Sequence, residues 1–312
     1  MNNLNRREFI QRTTATGVSL SLPVMASGPL SAATDNAGNK LMATRIIPSS
    51  GESLGVIGYG TARTFRQNPV KDKDTPMTLL KMLREAGGNF IDTDAVIEKN
   101  LAVWLNEMGS LDKVFLGNSI GGGSTPGPAA PDIERSLAVL GKNTLDLAQV
   151  RNAADMDNRW PVMRELKEAG KVRHLGMTIA HHSQYEKLEA LMKKYRPDFI
   201  QVNYSILEPK TEQRILPLAS DLGVAVVIMR PFVNGEYFGK VSGHSLPEWT
   251  AEFDCKSWSH FALKYILANP NVTCVMAESS KPKHARDNLQ GGVGRLPDDN
   301  HLKRMRELMT WM

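Results

Sequence analysis

The chain has 312 residues, of which 41% are hydrophobic and 23% charged, proportions that are ordinary for a soluble globular protein. A chain of this length buries a substantial core without help from disulfides or metal ions, and it suits one large domain or two ordinary ones. The net charge of +5 is small, and no basic run is interleaved with aromatic residues, so nucleic-acid binding is not predicted.

The first 33 residues have the three parts of an export signal. An arginine pair, Arg6-Arg7, is followed by Phe9 and Ile10, and then by a short apolar stretch at 13–25 and the small residues at 31–33. This segment resembles twin-arginine signal peptides, which implies export of the folded protein to the periplasm or the exterior by the twin-arginine machinery. The alternative is a disordered arm in which the arginine pair occurs by chance.

The apolar stretch of this signal is too short and too polar to serve as a stable membrane anchor. Residues 34–43 are predicted to be a disordered lead-in, and residues 44–312 a single folded domain.

From Ile46 onward, apolar runs and segments of helical periodicity alternate regularly. The apolar runs predict eight strands, at Leu54–Tyr59, Asn89–Asp92, Lys113–Leu116, Leu145–Val150, His174–Thr178, Phe199–Asn203, Val224–Ile228 and Val272–Met276. Apolar residues three or four positions apart predict helices between the strands, at 76–87, 101–105, 131–140, 160–169, 183–195, 211–221, 258–267, from Pro282 and at 298–310. A long loop is predicted at 231–250.

Strands that alternate with helices form parallel sheets. Eight such units in roughly 250 residues favour one closed α/β domain, the (β/α)8 or TIM barrel, over an open doubly wound sheet. No Gly-x-Gly-x-x-Gly motif follows the first predicted strand, which argues against the usual dinucleotide-binding sheet.

Several motifs in this frame, between about Ile46 and Asp298, resemble those of the aldo/keto reductase family. They are Gly58–Thr61 (GYGT), Gly88–Thr93 (GNFIDT), Leu166–Gly176 (LKEAGKVRHLG), Phe199–Ser205 (FIQVNYS), and Glu278–Pro282 (ESSKP) with Arg286–Leu289 (RDNL). The resemblance implies hydride transfer between NADP(H) and a carbonyl or alcohol substrate. It also implies four groups at the strand ends: a Tyr that donates a proton, a Lys that lowers its pKa, an Asp that holds the Lys, and a His that orients the carbonyl.

Three of these four positions are replaced here. The Asp is present as Asp92, but the Tyr position is Ile97 and the Lys position is Ser119 or its neighbour Asn118. The His position is Arg151, which is always cationic and can still polarise a carbonyl group. Alternatively, Arg151 is a salt-bridge partner of Asp92 at the barrel mouth.

The cofactor residues implied by the resemblance are partly retained. Gly60 and Thr61 lie in the first motif, and Gln201 matches the residue that hydrogen-bonds the nicotinamide amide. The Ser-Asn pair after the fifth strand is replaced by Thr178-Ile179, and the aromatic residue that stacks on nicotinamide is replaced by Met229.

At the phosphate end of the implied cofactor site, matching or adjacent positions carry Ser279, Ser280, Lys281, His284 and Asn288. A helix beginning there favours an anion, although the two serines also serve simply as helix caps. Glu278 would oppose a 2′-phosphate, so NADP is predicted over NAD only through the resemblance.

Two functions therefore remain open. One is an exported oxidoreductase with a rearranged proton donor, and the other is a non-catalytic barrel, a pseudoenzyme, that binds a small molecule or a protein partner in the old pocket. His181-His182 and three tyrosines, Tyr59, Tyr204 and Tyr237, lie near predicted strand ends and are alternative proton donors. No carboxylate at ligand spacing joins the histidines, so no metal site is predicted.

The two cysteines, Cys255 and Cys274, lack metal-ligand spacing. They are interpreted as buried apolar residues or, in an oxidising compartment, as a disulfide.

Overall fold

A computed structural model describes residues 40–61, 65, 74–120, 129–151 and 156–312. The predicted export signal, most of the predicted lead-in and the Gly/Pro-rich segment at 121–128 lie outside these residues. None of the helices that the structure describes has both the length and the apolar character needed to cross a membrane.

Ten strands are described, and the last eight form a closed parallel barrel in the order β10-β3-β4-β5-β6-β7-β8-β9. Their bounds are β1 Thr44–Ile46, β2 Ser53–Gly55, β3 Ile57–Gly60, β4 Phe90–Asp94, β5 Phe115–Ile120, β6 Leu145–Arg151, β7 Val172–Ile179, β8 Phe199–Asn203, β9 Ala225–Met229 and β10 Cys274–Met276. The predicted fold class, a single (β/α)8 barrel, is confirmed.

The α-helices of the described residues follow the barrel strands and add one at the end of the chain. They are α1 Asp74–Glu85, α2 Glu98–Glu107, α3 Ala129–Leu140, α4 Met156–Glu168, α5 Tyr185–Tyr195, α6 Ile215–Leu222, α7 Glu236–Lys240, α8 Trp258–Ala268, α9 Pro282–Gln290 and α10 Asp299–Trp311. Local sequence sets several ends: Ser257 caps α8 by accepting from His260 N at 3.1 Å, and Gly223 ends α6 at a φ of +65°, which favours glycine.

Alternation along each strand divides the core into two parts. Inside the barrel, a closed apolar layer lies towards the amino ends of the strands; it includes Phe90, Phe115, Leu147 and Phe199. Side chains on the other face of each strand pack against the helices in a larger cluster. Because that layer fills the barrel, polar side chains near the carboxyl ends of the strands stand above a solid apolar base.

The amino end of the barrel contains an element that the sequence did not predict. The predicted first strand is divided, because β1 and β2 form an antiparallel hairpin before β3 enters the barrel. Met42 is 1% exposed and its N–H donates to Ala86 O at 3.0 Å, so residues at the end of the predicted lead-in are packed. In the predicted loop 231–250, the structure places the short helix α7.

Both cysteines are free and buried. Cys274 lies inside the barrel on β10, whereas Cys255 precedes α8 and contacts Ser257 O through its Sγ at 3.5 Å. The alternative of a disulfide between them is therefore wrong for this structure, and the interpretation as two buried residues is confirmed.

Candidate active site at the carboxyl end of the barrel

A cavity of about 550 Å³ opens at the carboxyl ends of the barrel strands, the end at which barrel enzymes carry their active sites. Residues from six strands and two following segments line it: Gly60, Asp92, Arg151, Gln201, Met229, Arg230, Pro231, Phe232, Asn234, Gly235, Phe238, Met276, Ala277, Glu278, Ser279 and Ser280. Asp92, Arg151, Gln201 and the two serines were predicted as site residues, and the structure brings them to one cavity.

Asp92 lies at the base of this cavity, 8% exposed, in a network with two glutamines. Gln149 Nε2 donates to Asp92 Oδ1 at 3.0 Å and to Gln201 Oε1 at 2.9 Å. Gln201 Nε2 donates to Asp92 Oδ2 at the longer distance of 3.4 Å. A Cβ at Gly117 would stand only 3.1 Å from Asp92 Oδ1, so the glycine on β5 makes room for this carboxyl group.

The environment raises the pKa of Asp92 to about 7. Burial is the main cause, because it penalises the charged carboxylate; the Gln201 hydrogen bond and the Arg151 charge act in the opposite direction, and Glu278 and Asp94 add to the rise. The group therefore exchanges its proton near neutral pH, in the range that suits a general acid or base.

Arg151 ends β6 and lines the cavity together with Asp92. Its charge lowers the pKa of Asp92, so the two groups interact. No ion pair joins their side chains, both of which belong to the described residues. The interpretation of Arg151 as a direct salt-bridge partner of Asp92 is therefore wrong, and its guanidinium group faces the cavity.

Ile97 and Ser119 are absent from the described residues that line the cavity. Ile97 directly precedes α2 and is fully buried in the cluster between barrel and helices. Ser119 shares the inward face of β5 with Phe115 and Gly117, and its buried Oγ has no partner among the described residues. Thus the Lys-equivalent position points into the barrel, whereas the predicted Tyr-equivalent position does not reach the cavity.

Asn118, the alternative to Ser119, faces away from the barrel axis. Its Nδ2 donates to Glu98 Oε1 at 2.6 Å. Glu98 is 1% exposed and also accepts from Ser136 Oγ at 2.6 Å and Arg135 at 2.7 Å. Asn118 therefore belongs to a buried polar cluster between β5 and helices α2 and α3.

Gly60 and Thr61 follow β3 but differ in what they face. Gly60 lines the cavity, and its N–H donates to Glu278 Oε2 at 3.4 Å. Thr61 is buried: its N–H donates to Asp92 O at 2.9 Å and its Oγ1 donates to Thr93 Oγ1 at 3.2 Å. Thr61 consequently fastens β3 to β4, and Gly60 is the residue that borders the cavity.

The predicted phosphate-binding residues surround the start of α9. Ser279 and Ser280 line the cavity, while Lys281 and His284 are exposed beside it. Asn288 is 4% exposed and bonded at both ends, because its Nδ2 donates to Ala277 O at 2.8 Å and its Oδ1 accepts from Ser259 Oγ at 2.5 Å. Asn288 therefore anchors the segment after β10, with both ends of its amide bonded within the protein.

The turn between β9 and α7 supplies cavity residues that the sequence did not single out as site residues. Arg230 has a φ of +56°, Val233 of +47° and Asn234 of +56°, values in the left-handed region that non-glycine residues seldom adopt. The buried Nε of Arg230 has no hydrogen-bond partner among the described residues. Polar residues immediately after a buried strand, as at Arg230, are the signal that could have indicated them.

The alternative proton donors lie outside this cavity's described lining. Asn203 Nδ2 donates to His182 Nε2 at 2.8 Å, and the pKa of His182 is lowered, chiefly by burial. Tyr237 donates to Trp258 O at 2.8 Å, Tyr204 donates to Glu212, and the buried hydroxyl of Tyr59 has no partner in the described part of the chain. Within that part no cluster of three or more metal-ligating side chains occurs.

Comparisons with known proteins agree with this architecture. Curated relatives include the NADH-specific methylglyoxal reductase of Escherichia coli, 25% identical over 160 residues covering 41% of this chain and 46% of the relative. Aldo-keto reductase YhdN of Bacillus subtilis is 24% identical over 200 residues, 59% of this chain and 58% of the relative. The aligned parts thus span about half the length of these relatives.

Among solved structures, the holo form of aldo-keto reductase AKR11C1 from Bacillus halodurans superposes with a TM-score of 0.68 at 21% identity. The superposition covers 86% of this chain and 96% of that one, and at this identity it supports the fold alone. Residues 56–308 match the model of the aldo/keto reductase family. The chain therefore belongs to the aldo/keto reductase family.

Proposed function

We propose that this protein is an exported oxidoreductase that transfers a hydride between NADP(H) and a carbonyl or alcohol substrate, with Asp92 and Arg151 in place of the family's proton relay. One observation carries the proposal: the cavity in which Asp92, Arg151 and Gln201 meet continues to Ser279 and Ser280 at the start of α9. A reacting carbonyl and an elongated nucleotide need such a continuous space, with a titratable group at one end and anion-binding groups at the other.

The lining residues fit a nicotinamide dinucleotide. Gly60 borders the cavity without a side chain that would occupy it; a Cβ there would stand at ordinary van der Waals distance, 3.5 Å, from both Met276 Sδ and the Glu278 carboxylate. Gln201 would hold the carboxamide, and Ser279, Ser280 and the first N–H groups of α9 would hold a phosphate. When bound, the nucleotide supplies or accepts the hydride. The choice of NADP follows the family resemblance.

The chain's own groups would handle the carbonyl oxygen. The Arg151 guanidinium would donate a hydrogen bond to that oxygen and stabilise the negative charge that develops on it. The protonated Asp92 carboxyl group would transfer its proton to the same oxygen, giving the alcohol and leaving a carboxylate. Asp92 Oδ2 accepts only a long hydrogen bond from Gln201, so Oδ2 would carry the proton. The hydrogen bond that the Gln149 amide donates to Oδ1 would stabilise the carboxylate that remains.

The export part of the proposal rests on the sequence of residues 1–33. In this reading residues 1–33 are removed on export, residues 34–43 lead into the barrel at 44–312, and the protein works in the periplasm or outside the cell. Twin-arginine substrates cross the membrane folded, so a nucleotide loaded in the cytoplasm would accompany the barrel.

The first experiment is a titration of the purified protein with NADPH, followed by tryptophan fluorescence. We expect quenching with a dissociation constant between about 1 μM and 1 mM, the usual range for enzyme ligands. Methylglyoxal-dependent oxidation of NADPH, read at 340 nm, then tests catalysis, with benzoylformate as a second substrate. Absence of any quenching at millimolar NADPH would contradict the proposal that the protein is an NADP(H)-dependent oxidoreductase.

Matched variants connect turnover to the site. Asp92→Asn and Arg151→Ala should each lower kcat/KM at least about 100-fold, the usual contribution of a general acid or an oxyanion donor. Arg164→Met removes an exposed arginine on α4 and should leave kcat/KM unchanged.

A second candidate function is a non-catalytic barrel that binds a ligand in the same cavity. Ile97 lies outside the described lining of the cavity, and the Asn288 amide is bonded at both ends within the protein; both observations favour it. In that case the protein binds ligands but the Asp92→Asn and Arg151→Ala variants show no loss of turnover, because the native protein has none to lose.

A further inference from the structure

Arg151 and Arg230 bring two guanidinium groups to the cavity without an anionic partner from the described chain. Among the described residues neither forms an ion pair there, and the buried Nε of Arg230 has no hydrogen-bond partner. Buried polar groups in native proteins are almost always satisfied, so each exception calls for an explanation such as a ligand. Here the unsatisfied donor borders a cavity that is open to a ligand.

Arg230 is also held in a costly backbone conformation. Its φ is +56°, and two further residues of the same turn have positive φ, +47° at Val233 and +56° at Asn234. Backbone strain of this kind persists where the surrounding structure over-determines it, and it concentrates at ligand clamps and active sites. The turn therefore fixes the direction of the Arg230 side chain in advance of binding.

The acidic groups of the cavity leave Arg230 uncompensated. Glu278 turns towards β3, where its Oε2 accepts from Gly60 N at 3.4 Å. Asp92 is bonded to the amides of Gln149 and Gln201. The charge of Arg230 also reaches His182, where it helps to lower the pKa while Glu208 acts in the opposite direction.

The cavity that Arg230 lines also has an apolar surface. Phe232 and Phe238 both line the cavity, with ring centroids 4.8 Å apart, and Met229 precedes Arg230 on the same wall. A ligand that contacts both features has an anionic group next to an apolar or aromatic part.

We propose that the substrate is an oxo acid whose carboxylate binds Arg230 while Arg151 contacts its carbonyl oxygen, an inference that deepens, and rests on, the proposed function. Arginine presents paired N–H donors that match a planar carboxylate, and such bidentate contacts are among the strongest hydrogen bonds in proteins. Arg151, on the far side of β7 and β8 from Arg230, approaches the same ligand from the opposite side of the mouth.

The test is calorimetric titration with benzoylformate, an aromatic oxo acid, and with its uncharged amide, each in the absence and in the presence of saturating NADP⁺. We expect the acid to bind at least about tenfold more tightly than the amide, since a hydrogen bond to a charged group is worth at least that factor. Equal affinity for both compounds, or no binding of the acid at millimolar concentration in either condition, would overturn the inference.

Three variants locate the effect. Arg230→Met should weaken benzoylformate binding at least about tenfold and leave binding of the amide unchanged. Arg230→Lys keeps the charge but loses the planar fork, so it should retain part of the preference. Arg164→Met removes the same charge from α4 at a distance and should bind the acid like the native protein. If Arg164→Met loses as much as Arg230→Met, the preference reflects net charge and the inference is wrong.

The outcomes separate this inference from the proposed function. If Arg230→Met weakens NADP⁺ binding as strongly as benzoylformate binding, Arg230 holds a nucleotide phosphate and the oxo-acid assignment fails while the oxidoreductase stands. If NADPH does not bind but the acid preference persists and depends on Arg230, the oxidoreductase fails and the carboxylate site stands. Circular dichroism and thermal unfolding of each variant confirm that it is folded.

Discussion

Asp92 shows how burial and hydrogen bonding oppose each other at one side chain. Removing its carboxylate from water raises the pKa, and the Gln201 amide and the Arg151 charge only partly offset this, so the pKa reaches about 7. The direction of the resulting stability effect follows from proton linkage. Because the pKa is higher in the folded than in the unfolded protein, the folded state holds the proton more tightly. The stability that this proton contributes is fully present below the pKa of Asp92 in the unfolded protein. It is lost as the pH rises through the pKa of Asp92 in the folded protein.

Asp92→Asn should therefore increase the free energy of unfolding, by an amount that depends on pH. The gain should be near zero at pH 4 and should grow to about 4 kcal/mol at pH 8, because asparagine has no charge to desolvate and Gln149 and Gln201 can reorient their amides. Urea unfolding at several pH values measures it. A gain that is constant between pH 4 and pH 8 would show that Asp92 does not titrate in this range in the folded protein.

Ile97 provides the second test at the scale of single residues. The sequence resemblance assigns the catalytic tyrosine to this position, but the structure buries Ile97 completely in the cluster outside the barrel. Ile97→Tyr should thus lower the free energy of unfolding by about 1–3 kcal/mol through overpacking and should not raise carbonyl reduction. Ile97→Leu, with a side chain of the same volume, is the matched control and should cost less than about 1.5 kcal/mol. A rise in turnover in Ile97→Tyr would restore the assignment.

At the scale of elements, the turn from β9 into α7 holds Arg230 in a strained backbone conformation, which orients its side chain and lowers the stability of the fold. A non-glycine residue in the left-handed region costs about 1–2 kcal/mol, whereas glycine there loses about 0.5–1 kcal/mol through the greater freedom of the unfolded chain. Arg230→Gly should therefore raise stability by up to about 1 kcal/mol, or Tm by about 2 °C, while it abolishes the preference for the acid.

The control for this substitution is Arg164→Gly, in the interior of α4. There glycine brings no relief of strain and should cost about 1 kcal/mol. Thermal unfolding of the two variants side by side gives the comparison. If Arg230→Gly destabilises the protein as much as Arg164→Gly does, the turn is not strained at Arg230.

The elements that the sequence predicted well are those with strong periodicity. The apolar runs from Phe199 to Asn203 and from Val224 to Ile228 correspond to β8 and β9 nearly residue for residue, because strands buried on both faces leave few alternatives. The β1–β2 hairpin was missed because each strand has only three residues, too few to show an alternation. Helix α7 has only five residues, and its entry depends on left-handed backbone angles at Arg230 and Val233, residue types that do not favour that region.

Sequence analysis predicted the residues of the candidate site only where they belong to a recognisable motif. Asp92 and Gln201 stand in recognisable motifs, so their meeting in one cavity was expected. Gln149 was missed because no motif marks it, although period-two alternation places it on the same face of β6 as Arg151. The bonding of Asn288 at both ends was equally inaccessible, since its partners Ala277 and Ser259 come from other segments.

At the scale of the whole molecule, the two ends of the barrel differ in how completely their polar groups are satisfied. At the amino end, Arg173 bridges Glu52 and Asp146, and Lys142 adds a second bond to Asp146 at 2.9 Å. At the carboxyl end, Ser119 Oγ and Arg230 Nε are buried without partners among the described residues. Barrels characteristically place stability at the first end and chemistry at the second, and this division agrees with a ligand site at the mouth.

The last prediction concerns the compartment in which the folded barrel works. If residues 1–33 are a twin-arginine signal, replacing Arg6 and Arg7 with lysine should abolish periplasmic accumulation and leave a precursor in the cytoplasm. The matched control is Arg12→Lys, which lies outside the arginine pair and should be exported normally. Cell fractionation and intact mass spectrometry measure both. Because the signal lies outside the barrel, the retained precursor should unfold at the same temperature as the exported protein. Undiminished export of the double-lysine variant would contradict the proposed route.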